Sequence, residues 1–367
     1  MNKEEALLIC NHIPGLGRSG LAKLLTYFND DPCAIFEAEK SEIYALTNQS
    51  ELITNGLLLF KENKGWQSDL REVEKQGVML LCYTSPNYPK ALLEIGDFPH
   101  LLYVKGEITK EETKSAAIIG TRSCSIYGSE MAAELARDLS AAGVIIVSGF
   151  ARGIDTSAHL AAAREKGITY AILGSGLSKI YPSENRSIIP EILEKGALIS
   201  EFPMLASPEK HHFPKRNRIV SGLSEAVILI ESPLKGGAMI TMDLAHTQGK
   251  ISFALPGRVD VPSFCGNLQL LKSQKARLVE NSDDVLSLMG IKRKHSIETY
   301  KKPNLSEDEE KVYSCFDKEE ISLEILGQKS GLSVSKLSSL VMSLLLKKLI
   351  KEFPGRMYKR ERGCLKI

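Results

Sequence analysis

An α/β fold with a doubly wound, mainly parallel sheet is what this sequence of 367 residues predicts, and three observations carry the prediction. Between residues 76 and 290, short β-rich runs alternate with helical stretches, the order in which a chain lays down βαβ units. The runs are continuously apolar rather than alternating, as strands covered on both faces require. Most of them end in a glycine-rich turn, and in a parallel sheet those turns share the one edge where ligands bind. The expected core is therefore Rossmann-like.

Residues 1–75 come first and carry helical periodicity around IPGLGRSGLAKLL. Gly15, Gly17 and Gly20 spell GxGxxG, but a helix, EEALLICNH, precedes them where a dinucleotide fingerprint needs a strand. The pattern fits a helix-hairpin-helix (SAM-like) domain instead. Gly15 and Gly17 would let backbone amides approach a phosphate, or would simply make a turn.

The core runs are VMLLCY, LLYVKG, AAIIG, VIIVSG, ITYAILG, ALIS, AVILIE and ISFALPG, with alanine-rich amphipathic helices at 128–142 and 155–166. A polar, basic stretch at 291–305 reads as a linker. Residues 306–367 then show helix, helix, helix and β-hairpin patterns, with Ser306 and Glu309 spaced as a capping box and Gly331 placed as a turn. That order predicts a small winged helix-turn-helix domain.

Composition narrows the function classes. With 43% apolar and 25% charged residues the chain is of globular type. No apolar run reaches the length of a membrane span, and acids stand where a signal peptide needs a basic region. Seven scattered cysteines form no CxxC pair, which argues against a zinc ribbon or disulfide framework and for a reducing cytoplasm. Net charge is only +2, so any nucleic-acid site must be local.

The candidate site lies in the turns after the strands: Gly120-Thr121-Arg122, Ser148-Gly149-Phe150-Ala151-Arg152-Gly153, Gly174-Ser175-Gly176 and Lys235-Gly236-Gly237-Ala238. Two of them lead into helices, at Asp155 and at Ala238, whose N-terminal amides and dipoles suit phosphate. Thr241 follows in the second. Arg122, Arg152 and Lys235 add charge, and Arg can clamp phosphate oxygens with paired hydrogen bonds. Asp155 is expected to be an N-cap.

A further cationic element, Phe213-Pro214-Lys215-Arg216-Asn217-Arg218, sets three positive charges beside an aromatic ring. A single strand needs that combination, cations for its backbone and a platform for its bases. The alternative is that Arg216 or Arg218 braces the fold through a buried carboxylate such as Glu201. Catalytic motifs are missing: no GxSxG, HExxH or GxxxxGK[ST] occurs, and His211-His212 lack a third ligand at metal-site spacing. The expectation is no enzyme, no cofactor and no metal.

The motifs IIGTR, SGFARGID, LGSGL, YPSEN, FPKRNRIVSGLS, KGGAMIT and FALPG, spread over about residues 85–280, resemble those of the DprA (Smf) DNA-processing family. The resemblance implies a single-stranded DNA-binding protein that protects incoming DNA and loads a RecA-type recombinase in natural transformation, pairing as a homodimer through its core. It maps the DNA pocket onto Arg122, the loop from Ser148 to Gly153, the segment from Lys215 to Arg218, and the Gly236-Gly237 loop. The sequence departs from the family at Cys265-Gly266-Asn267, Lys275-Ala276, Phe150 and Lys235-Gly236-Gly237-Ala238.

Two rivals remain open. A phosphoribohydrolase acting on nucleoside monophosphates would use the same fold, but it needs a PGGxGTxxE loop and KGGAMITMDLA supplies no matching glutamate. A winged-helix regulator reading duplex DNA would need base-reading side chains on its third helix, and LSVSKLSSLVMSLLLKKL offers mainly serines.

Overall fold

In the computed structural model, the structure describes residues 1–109, 113–292, 305–316, 320–347, 349–353 and 355–360. The chain divides into two compact units, Met1–Lys294 and His295–Ile367. Most of the 291–305 segment lies outside the described residues.

The first unit begins with five helices, α1 (Lys3–Asn11), α2 (Arg18–Tyr27), α3 (Lys40–Leu46), α4 (Glu51–Leu58) and α5 (Lys64–Lys75). Nine strands follow: β1 (Met79–Cys82), β2 (Leu101–Gly106), β3 (Ser115–Ile119), β4 (Ile145–Ser148), β5 (Thr169–Ile172), β6 (Ala197–Ser200), β7 (Ala226–Leu229), β8 (Ile251–Ala254) and β9 (Arg277–Leu278). The helices between them are α6 (Lys90–Leu93), α7 (Ile126–Ala141), α8 (Ile154–Arg164), α9 (Ile189–Leu193), α10 (His212–Gly222), α11 (Gly237–Thr247), α12 (Cys265–Lys272) and α13 (Ser282–Leu288).

The sheet order is β1-β2-β6-β5-β4-β3-β7-β8-β9. Strands β3 to β9 pair in parallel, while β1 and β2 close one edge antiparallel. The continuously apolar runs β3 to β7 are buried along their length, because helices cover both faces. Chain order reverses between β3 and β7, so the crevice of a doubly wound sheet opens beside the ends of β3, β4 and β7. The two-residue β9 carries too short an apolar signal to be read from sequence.

The N-terminal helices, expected as a separate domain, share a core with the sheet. Leu7, Leu24, Leu25 and Ile43 pack in one cluster with Tyr103, Phe150, Leu173 and Leu198. Polar ties reinforce this: buried Asp69 of α5 accepts hydrogen bonds from the Tyr103 hydroxyl (2.8 Å) and the Met204 amide (2.6 Å). Arg18 pairs with Asp97 at 3.1 Å.

The second unit runs α14 (Glu307–Ser314), β10 (Ile321–Ser322), α15 (Leu323–Ser330), α16 (Val334–Leu346), β11 (Ile350–Phe353) and β12 (Met357–Arg360). Its sheet order is β10-β12-β11, all antiparallel. Val312, Leu326, Leu337, Val341, Leu344 and Ile350 form its core. The Ser306–Glu309 capping box is formed, and Gly331 ends α15 at φ +68°, the left-handed conformation that glycine adopts without penalty. The one addition to the sequence reading is β10, at the head of a segment read as wholly helical.

Candidate nucleic-acid interface

Arg122, Gly149, Phe150, Ala151, Arg152, Tyr181, Pro182, Phe213 and Arg216 line one cleft at the C-terminal edge of the sheet, about 270 Å3 with its open mouth included. They arrive on four separate pieces of chain: the turn after β3, the loop between β4 and α8, the segment after β5, and the first two turns of α10. The edge convergence expected from the glycine-rich turns is therefore real for the first two.

The floor of the cleft is aromatic. Phe213 lies against Gly174, where a Cβ would come within 2.7 Å of the ring, so only glycine lets the turn after β5 sit this close. The Arg122 guanidinium carbon stands 5.0 Å from the centre of the Phe213 ring, within cation–π range. Tyr181 stands 5.7 Å from Phe213 between ring centres, tilted by 51°. Arg122 is exposed and has its charge directed over an apolar face, an arrangement that offers a phosphate one surface and a base another.

The loop between β4 and α8 is held from beneath. Phe150 adopts φ +56°, a left-handed conformation costing a non-glycine residue about 1–3 kcal/mol, and its ring is fully buried. Asn185 compensates by donating to the carbonyls of Phe150 (3.0 Å) and Ala151 (3.3 Å). Gly153, at φ +76°, lets this loop meet the turn after β3, since a Cβ there would lie 2.5 Å from the Thr121 carbonyl oxygen. Gly153 takes the N-cap position of α8. Asp155, expected to be that cap, is the second helical residue and accepts from the Ala151 amide at 3.1 Å.

The remaining expected contacts divide. Arg152 is exposed and pairs with Glu184 at 2.5 Å. Lys215 is exposed, and Asn217 donates to the Gly237 carbonyl at 3.3 Å, tying α10 to the Lys235-Gly236-Gly237 turn beside the cleft. Ser148 and Thr241, expected to contact a ligand, are buried, and the Ser148 hydroxyl donates to the Ile118 carbonyl at 2.6 Å.

Arg216 and Arg218 depart furthest from expectation. The cationic segment is the start of a helix, so its side chains fan out at 100° steps and two of them turn inward. Arg216 is 5% exposed and donates to the carbonyl oxygens of Gly149 and Ile172, stitching the ends of β4 and β5 under the cleft. Burial lowers its pKa to about 10, while Asp155 acts in the opposite direction. Arg218 is bonded to Glu201 and lies 3.5 Å from Asp97, which is the bracing alternative named for it. Burial nonetheless raises the Glu201 carboxyl above the usual range.

Gly15 sits at φ +82° and Gly17 caps α2. The Gly17 amide donates to the Gly15 carbonyl at 2.9 Å, so that amide is turned inward rather than toward a phosphate. His159 is buried with Nδ1 2.7 Å from the Thr169 hydroxyl, and burial drives its pKa down to about 3, which keeps it a neutral core residue.

Sequence reasoning singled out neither Tyr181, Asn185 nor Glu184 as site residues, although all lie in or beside the YPSEN motif. It also missed that Glu209 comes to His211 in space, 3.3 Å away.

Fold and site together define a class: Rossmann-like α/β proteins that present a cationic cleft with an aromatic floor at the strand C-termini. Residues 79–290 match the model of the family described as DNA recombination-mediator protein A. The chain belongs to that family. Protein Smf of Escherichia coli K12 is 32% identical over 94% of this chain and 95% of its own length. The structure of DNA processing protein A from Streptococcus pneumoniae superposes with a TM-score of 0.66 at 30% identity, covering 78% of this chain and 98% of that one. That of DNA processing protein A from Helicobacter pylori, described for its single-stranded DNA binding mode, gives 0.52 at 33% identity over 57% of this chain and 95% of that one. No helix among the described residues is long and apolar enough to cross a membrane.

Proposed function

We propose that the protein binds single-stranded DNA in the cytoplasm, without catalysis or cofactor, and passes it to a RecA-type recombinase while protecting it, as in natural transformation. The observation that carries the reading is the stacking of Arg122 on Phe213 inside a cleft shared with Gly149 and Arg152. A single strand has what this cleft lacks, phosphates for the guanidinium groups and bases for the ring.

The contacts are Arg122, Gly149, Arg152, Lys215, Asn217 and the Lys235-Gly236-Gly237 turn. Ser148, Gly153, Arg216, Arg218 and Thr241 hold these in place. The described single-strand binding of the Helicobacter pylori relative supports this. The second unit is a winged helix, and two chains pair through their cores. A gel-shift comparison of single-stranded with duplex DNA across a salt series tests the reading: preference for the single strand, weakening with salt, is expected, and equal affinity for both forms rejects it.

A further inference from the structure

Beyond DNA binding, the turn that leads into α10 holds a donor set that no part of the DNA reading uses. Glu209 Oε2 and His211 Nδ1 are 3.3 Å apart. The rings of His211 and His212 are 4.5 Å apart at 71°, and one ligand atom from each of the three residues lies within 4.8 Å of the other two. The His212 ring is stacked on Phe202 at 4.1 Å, and its buried Nδ1 makes no hydrogen bond of good geometry, although the Ser207 backbone lies close enough to act on the ring.

We propose that Glu209, His211 and His212 bind one divalent ion of the zinc class, leaving a coordination position open to water or a phosphate oxygen. The geometry fits. Ligands about 2.0–2.1 Å from a tetrahedral ion stand about 3.3–3.4 Å from one another, which is the Glu209–His211 separation. Bringing in His212, half-buried against Phe202, takes a side-chain adjustment of about 1 Å or a little more. Two imidazoles and a carboxylate suit zinc rather than magnesium or calcium.

Two features oppose the ion, the positive end of the α10 dipole and the neighbouring Lys210 and Lys215. They set a modest affinity rather than abolish it, since a carboxylate ligand offsets part of the charge. The consequence is local. Phe213, the cleft floor, is the next residue, so a bound ion fixes the turn that carries it and adds positive charge beside it.

The test uses tag-free, full-length protein stripped by chelator and titrated with zinc chloride against a chromophoric zinc indicator. One equivalent per chain is expected. Affinity should fall roughly 10- to 100-fold or more in His211→Ala and in Glu209→Gln, since losing even outer partners of a metal site costs that much. His246→Ala, an exposed histidine elsewhere, should leave it unchanged. Cobalt substitution should show d–d bands without a thiolate charge-transfer band. No saturable uptake, or uptake equal in the His211→Ala and His212→Ala double variant, overturns the proposal. DNA is absent from the titration, so that outcome would leave the single-strand reading standing.

Discussion

The Arg122 guanidinium lies over the Phe213 ring at 5.0 Å, although the two residues are carried by the turn after β3 and by α10. Neither has a reason to be there alone, an arginine exposed and an aromatic left half-covered. The pair gives the cleft its two kinds of recognition.

Arg122→Ala should weaken single-strand binding with little dependence on base sequence. The salt slope should fall by roughly 0.7 for the lost phosphate contact. Phe213→Ala should weaken binding by about 1–3 kcal/mol, the range of one stacked base, and leave the slope alone. Fluorescence anisotropy over a salt series separates the two. Equal slopes for both variants would remove the division of labour.

Arg218→Ala should destabilise rather than merely weaken binding. Breaking a buried ion pair costs about 3–5 kcal/mol, and Glu201 would lose the cation that faces it. Denaturant unfolding should show a lower midpoint, while Lys215→Ala, on the exposed side of the same helix, should not move it.

Gly153→Ala should impair both folding and binding, because a Cβ would strike the Thr121 carbonyl in a backbone conformation unsuited to alanine. Gly237→Ala is the control for folding, since a Cβ there meets nothing within 4 Å. Thermal unfolding of the two variants is the measurement.

Stability should decline in mild acid. Burial lowers the pKa of His100 to about 4 and of His159 to about 3, below the roughly 6.5 of an unfolded histidine. The unfolded chain therefore binds more protons between those values, and stability falls as pH drops from about 6.5, by about 1.4 kcal/mol per unit for each histidine. His159→Gln should flatten this dependence in chemical denaturation. A slope unchanged by that variant would place the acid sensitivity elsewhere.

A chain ending near residue 292 should keep its single-strand affinity, because the cleft lies wholly within the first compact unit. Loss of binding with the fold intact would move the main site to the second unit.

The strands β1 to β8 and the turns around Arg122 and Gly149 were legible because doubly covered strands leave continuous apolar runs and tight turns leave glycines. Direction along a helix was not. Lys215, Arg216 and Arg218 read as one cationic cluster, yet α10 sends the first outward and the other two into the protein. Helical periodicity in residues 1–75 was equally blind to what the apolar face packs against, since a stripe looks the same against a sister helix or a sheet. Glu209 escaped notice because a carboxylate beside histidines is no recognisable motif until a turn brings it back.

The bonds from Asp69 to Tyr103 and to the Met204 amide make the leading helices a poor candidate for removal. A chain begun at Met79 would strand a phenol and a peptide N–H in a newly wetted seam. It would also bare the side of the apolar cluster that packs around Phe150. The awkward turn at Phe150 is thus propped up by residues far earlier in the chain, so grafting the sheet without them would transplant the grip but not its support.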